Sequence, residues 1–89
     1  SGDEAIQIAR KEQPNVILMD VVMPGMSGYQ TTRKLSRDQA TQKIPVIFVS
    51  IKSNETDRVW GMRQGAAAYV TKPVNPDSLL TAISDAIAA

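Results

Sequence analysis

The 89-residue sequence has no cysteine and no histidine, and each absence removes a class of chemistry. Without cysteine there is no disulfide and no thiol nucleophile; without histidine there is no imidazole base, and the usual zinc and iron ligand sets go with them. Any bound metal must be a hard cation held by oxygen atoms: magnesium, manganese or calcium. Long apolar runs are missing too. The longest, Val16–Met19 and the proline-containing Ile44–Ile51, fall far short of a membrane span. The opening Ser1-Gly-Asp-Glu4 lacks the basic and apolar regions of a signal peptide. A soluble, cytoplasmic protein with no membrane insertion is expected. Charge is not concentrated either: ten Lys/Arg face nine Asp/Glu, a net +1, with no basic patch of the kind that binds nucleic acid.

What is present centres on Val16-Ile-Leu-Met-Asp20, followed by Pro24-Gly-Met-Ser-Gly28. Consecutive apolar residues suit a strand buried on both faces, as in a parallel sheet covered by helices. Asp20 then stands at the carboxyl end of that strand, where ligands and chemistry collect in open α/β sheets.

Around this strand the pattern alternates. Ser1-Gly-Asp-Glu4 fits a capping box opening a helix with Ala5, Ile6 and Ala9 inward, ended by Pro14. A strand over about 15–20 follows, then a glycine-rich turn. A second capping box at Ser27-x-x-Gln30 starts a helix to about Ser36, with Tyr29, Thr32 and Leu35 inward and Arg33, Lys34 and Arg37 as its solvated face. Pro45–Ser50 reads as a second buried strand. Asn54 caps a third helix with Thr56, Val59, Trp60 and Met62 on its inner face, closed by Gly65. Ala66–Thr71 is a short strand. Asn75-Pro76 opens a last amphipathic helix carrying Leu79, Leu80, Ile83, Ala86 and Ile87. Strict alternation with short connections predicts one α/β domain at most, built on a parallel sheet with right-handed crossovers.

Asp20, Ser50 and Lys72 end the three strands, so a parallel sheet gathers them along one edge. A carboxylate, a hydroxyl and an ammonium together suit an acyl phosphate. The carboxylate is the nucleophile, and the other two bind oxygens of the incoming phosphoryl group. That chemistry rests on positioning and charge neutralisation, so it needs neither histidine nor cysteine on this chain.

The chain resembles the receiver domain of two-component response regulators. The spacings of thirty from Asp20 to Ser50 and fifty-two to Lys72 match that family. So do Asp20-x-x-x-Pro24-x-x-x-Gly28 and Lys72-Pro73, a step that usually carries a cis peptide. The resemblance implies the flavodoxin-like fold, with Asp20 as phosphoacceptor, Ser50 as switch hydroxyl, Lys72 as phosphate contact and Tyr69 as rotameric switch aromatic. It also implies a magnesium ion held by Asp20 and the Val22 carbonyl, with a sensor histidine kinase and a downstream protein as partners. Asp57-Arg-Val-Trp60-Gly-Met-Arg-Gln-Gly65 is most similar to stand-alone regulators of type IV pilus twitching and phototaxis.

Aligned from Asp20, residues 1–89 make a partial receiver lacking the first strand, first helix and second strand. The acidic pair that holds magnesium in the family goes with them. Little or no metal binding or phosphorylation is therefore expected of these residues alone. The first strand would lie at a bare apolar edge, which predicts a homodimer or a domain swap. Ile51 stands where the family has a small residue, and Val22 and Lys52 offer no help to a hydrolytic water, which predicts slow dephosphorylation. Two other readings remain: a haloacid-dehalogenase-like phosphohydrolase, disfavoured because Val22 occupies the place of its second acid, and a pseudo-receiver or assembly module that works without phosphate.

Overall fold

The computed structural model of the chain describes residues 2–20, 28–51 and 55–89. Helix and strand alternate as α1 (Gly2–Glu12), β1 (Ile17–Asp20), α2 (Gly28–Arg37), β2 (Val46–Ser50), α3 (Glu55–Arg63), β3 (Ala68–Thr71) and α4 (Pro76–Ala88). The strands form one parallel sheet in the order β1-β2-β3, with Met19 beside Phe48 and Phe48 beside Tyr69. The Ser1 and Ser27 capping residues, the Pro24–Ser27 turn and the Asn54 cap lie outside the described residues.

Side chains alternate across a sheet, so Ile17, Met19, Val46, Phe48, Ser50, Tyr69 and Thr71 share one face. That face holds the core: Met19, Val46, Phe48 and Tyr69 pack with Ile6 and Ala9 of α1, Leu35 of α2 and Ala66. Phe48 has no exposed surface and meets Tyr29 and Tyr69 edge-on, with ring centroids 5.3 and 6.3 Å away. Burial of a side chain this size contributes about 1.5–3 kcal/mol, and each edge-to-face pair about 0.5–1.5 kcal/mol more. The second face carries Leu18, Ile47, Val49, Ala68 and Val70, and α4 packs on it against β3.

Three expectations are corrected. The first strand is not buried on both faces: Met19 is inside, but Leu18 is 48% exposed, because α4 covers β3 and leaves the second face open over β1. The inner face of α3 is not Thr56, Val59, Trp60 and Met62, all of which are exposed. Instead Gly61 and Gln64 point inward. A Cβ on Gly61 would stand 2.7 Å from Phe48 Cδ2 and 3.0 Å from Tyr69 Cδ2, so the two rings occupy the space a larger residue would need. Finally, the apolar arc of α4 is wider than the surface it covers. Leu79, Ile83 and Ala86 are half-buried, whereas Leu80 and Ile87 are exposed.

The helix ends show how the chain reverses. Helix α1 stops at Gln13, which takes the left-handed conformation at φ 49° just before Pro14. Its side-chain amide donates to the carbonyls of Arg10 and Ala40, the latter at 2.8 Å. The turn after α2 is closed by Thr41, whose hydroxyl donates to the Leu35 carbonyl, and by Asp38, which accepts from the Ala40 N–H. Gly65, at φ 103°, ends α3 as its position in the sequence suggests. At the start of α4, the Asn75 side chain accepts from the Asp77 and Ser78 N–H groups.

Candidate functional site at the carboxyl edge of the sheet

Each parallel strand delivers its last residue to the same edge. Asp20 ends β1, Ser50 ends β2, and Lys72 follows Thr71 at the end of β3. Lys72 Nζ lies 2.9 Å from Asp20 Oδ2, an ion pair that closes a sequence separation of 52 residues. Both side chains are partly open to solvent, 40% for Lys72 and 49% for Asp20, so the pair remains accessible to a ligand. Exposed pairs of this kind contribute about 0–1 kcal/mol to stability, too little for the fold to need this one.

The Lys72 backbone is set independently. Its N–H donates to the Ser50 carbonyl at 2.7 Å, and the Lys72–Pro73 peptide is cis. The structure thus joins two of the three strand-end side chains directly and ties the third through its backbone. The Ser50 side chain lies on the core face and is 1% exposed. Tyr69 is also on that face, half a turn of the pleat from the site and packed against Phe48. Ile51 is 71% exposed beside the site. Val22 and Lys52 lie outside the described residues.

Near Tyr69, burial raises the pKa of the Tyr29 phenol, helped by Tyr69 and the Asp57 carboxylate. Of the residues expected to hold magnesium, Asp20 is at this edge and Val22 lies outside the described residues. Among the described residues no group of three or more carboxylate, imidazole or thiolate side chains comes together, whereas a magnesium ion wants six oxygen ligands in a near-octahedral set.

One feature escapes the sequence reading. Arg33 is not merely solvated: its Nε and Nη2 donate to Gln64 Oε1 at 2.9 and 2.5 Å, linking α2 to the end of α3. A glutamine far along the chain gives no periodic signal of such a bond.

Residues 1–84 match the response regulator receiver domain. The chain is 51% identical over 88 residues to protein PilH of Pseudomonas aeruginosa, covering 99% of this chain and 73% of PilH. It is 39% identical over 74 residues to the response regulator PleD of Caulobacter vibrioides, covering 83% of this chain but only 16% of PleD. Among solved structures it superposes on the receiver domain of a Pseudomonas aeruginosa sensor histidine kinase, which holds a magnesium ion in its active-site cleft. The TM-score is 0.88 at 25% identity, over 100% of this chain and 73% of that one. Chemotaxis protein CheY4 of Vibrio cholerae gives a TM-score of 0.86 at 27% identity, over 97% and 72%.

Proposed function

We propose, from a chain that belongs to the response regulator receiver domain family, that Asp20 accepts a phosphoryl group from a histidine kinase and thereby switches protein contacts. Residues 1–89 are read as part of one receiver domain, working in the cytoplasm. The observation that carries this is the Lys72–Asp20 contact at the strand ends. A carboxylate oxygen of Asp20 attacks the phosphorus of a phosphohistidine; the O–P bond forms as the N–P bond breaks, leaving an acyl phosphate. Lys72 exchanges its carboxylate partner for the phosphoryl oxygens, and the Ser50 hydroxyl moves to donate to one of them. Tyr69, on the same sheet face as Ser50 and packed against Phe48, reports that movement to α3. The partner is a downstream protein, and the likeness to PilH supports a regulator of type IV pili rather than an enzyme with a turnover of its own.

Phosphotransfer from a labelled histidine kinase to the product of the whole gene tests this. Label should appear on the wild type, be absent from Asp20→Asn, and fall at least tenfold in rate for Lys72→Ala. Label retained by Asp20→Asn would overturn the assignment.

A second reading is an assembly module working without phosphate. Under it the 89 residues alone bind magnesium weakly and take up no phosphate. Tight magnesium binding, or a stable beryllofluoride complex, counts against it.

A further inference from the structure

We infer that the groove between α2 and the end of α3 docks an acidic segment of a partner protein, one that carries an apolar residue beside its carboxylates. The groove is distinct from the phosphoacceptor edge: α2 and α3 both run back from the carboxyl ends of the strands, so their last turns lie at the opposite edge of the sheet.

Helix α2 carries Gln30, Arg33, Lys34 and Arg37 at i, i+3, i+4 and i+7, a single stripe, and has no acidic residue. Arg63, the last residue of α3, faces this stripe across a hollow lined by Arg33, Ser36, Arg37, Gln64 and Gly65. Three guanidinium groups therefore share one depression. The ordinary account of surface cations is that nearby carboxylates neutralise them. Arg10 pairs with Asp38 and Lys72 with Asp20, and neither pair involves the stripe; Asp3 and Asp38 line the hollow on its other side with Lys34 and Arg37, so the cationic groove is the one toward α3. Arg33 is held instead by Gln64, a neutral side chain only 6% exposed, which in turn donates to the Trp60 carbonyl. Its fork is fixed in place by a neutral partner. A pre-set guanidinium suits carboxylates, which it can take in a bidentate grip.

Arg63 also lines a neighbouring hollow with Glu55, Thr56, Val59 and Trp60. Trp60 is 51% exposed and Val59 39%, so an apolar anchor site adjoins the cationic groove. Trp and Arg are the residues that most often dominate binding energy at protein interfaces. Length and charge argue against the other polyanions. The α2 stripe is about 10 Å long, and Glu55 stands at the far end of the apolar hollow, where a continuous nucleic acid or an anionic membrane would meet repulsion. A short acidic segment fits between, with its apolar residue toward Trp60.

Trp60 is the one tryptophan of the sequence, so its emission reports occupancy directly. The probe is a fluorescein-labelled synthetic peptide alternating Glu-Glu with Leu, titrated into the full chain. Saturable anisotropy with a change in Trp60 emission is expected. Affinity should fall about tenfold in Arg37→Gln/Arg63→Gln, and further in the double charge reversal to Glu. Arg58→Glu, exposed on α3 outside both hollows, should bind as the wild type does. The Gln variants remove charge without placing acids at helix carboxyl ends, so circular dichroism should show them folded. The inference is overturned if the wild type does not bind at millimolar peptide, or if the Arg37/Arg63 variants bind unchanged. It also fails if a Gln-for-Glu peptide binds equally well. Single-stranded DNA or phosphatidylserine vesicles binding more tightly than the peptide, with the same dependence on Arg37 and Arg63, would replace the acidic segment with another polyanion.

Discussion

At the scale of single residues, Asp38 and Gly61 show how much one group can decide. The Ala40 N–H, and after it the Arg10 guanidinium, holds the Asp38 carboxyl below its ordinary value of 3.8. The unfolded chain therefore takes up this proton first. The stabilisation is fully present above about pH 4 and is lost as pH falls through the folded-state value. Urea midpoints measured from pH 6 down to pH 2 should show it. Wild type should lead Asp38→Asn at pH 6, and the gap should narrow below pH 4. A gap that widens in acid contradicts the assignment. For Gly61→Ala, the added methyl group meets the Phe48 and Tyr69 rings. Overpacking of this kind costs about 1–3 kcal/mol, and better helix propensity returns only about 1 kcal/mol. A net loss of up to about 2 kcal/mol is expected by urea denaturation. Of the site itself, the place of Asp20 and Lys72 at the sheet edge was legible because Asp20 ends a strand and Lys72 follows one, and strand ends can be read from apolar runs. The Arg33–Gln64 bond was not, since a side-chain bond between two helices leaves no trace in local pattern.

Elements were legible as to kind and order, but less so as to which face they bury. Helix α1 shows its inner face with Ile6 and Ala9, because apolar residues mark it. Helix α3 hides its own, because a glycine and a glutamine do the packing there and the exposed positions hold Val59, Trp60 and Met62. The end of α1 also has more behind it than Pro14. Gln13 joins a left-handed backbone to a bridge to Ala40, so its two roles are separable by substitution. Gln13→Ala loses the side-chain bonds and keeps the backbone cost, and should unfold about 1 kcal/mol more easily than wild type. Gln13→Gly loses the same bonds but relieves the backbone, and should recover about 1 kcal/mol relative to Ala. Equal midpoints for Ala and Gly would show that the conformation at Gln13 costs nothing.

For the whole molecule, the sheet edge matters most. Strand β1 pairs on one side with β2, and Leu18 is exposed on the open face beside it. Edges of this kind recruit other chains unless a charge blunts them. Sedimentation at rising concentration should show self-association of the 89 residues, and Leu18→Lys should shift the population toward monomer. A wild type that stays monomeric at high concentration would remove the edge from consideration. The edge was legible from the resemblance alone, while the opening above Leu18 required knowing where α4 lies.

The charges of the helices have one more consequence. Helix α2 bears three cations and no anion, and α4, across the sheet, bears Asp77 and Asp85 and no cation. With a net charge of only +1, the molecule is nearly neutral in total and still an electric dipole directed across the sheet. Such a body turns in the field of a charged partner before it touches, so its encounters are oriented and their rate falls with added salt. An acidic partner meets the α2 side first, and a basic one meets α4.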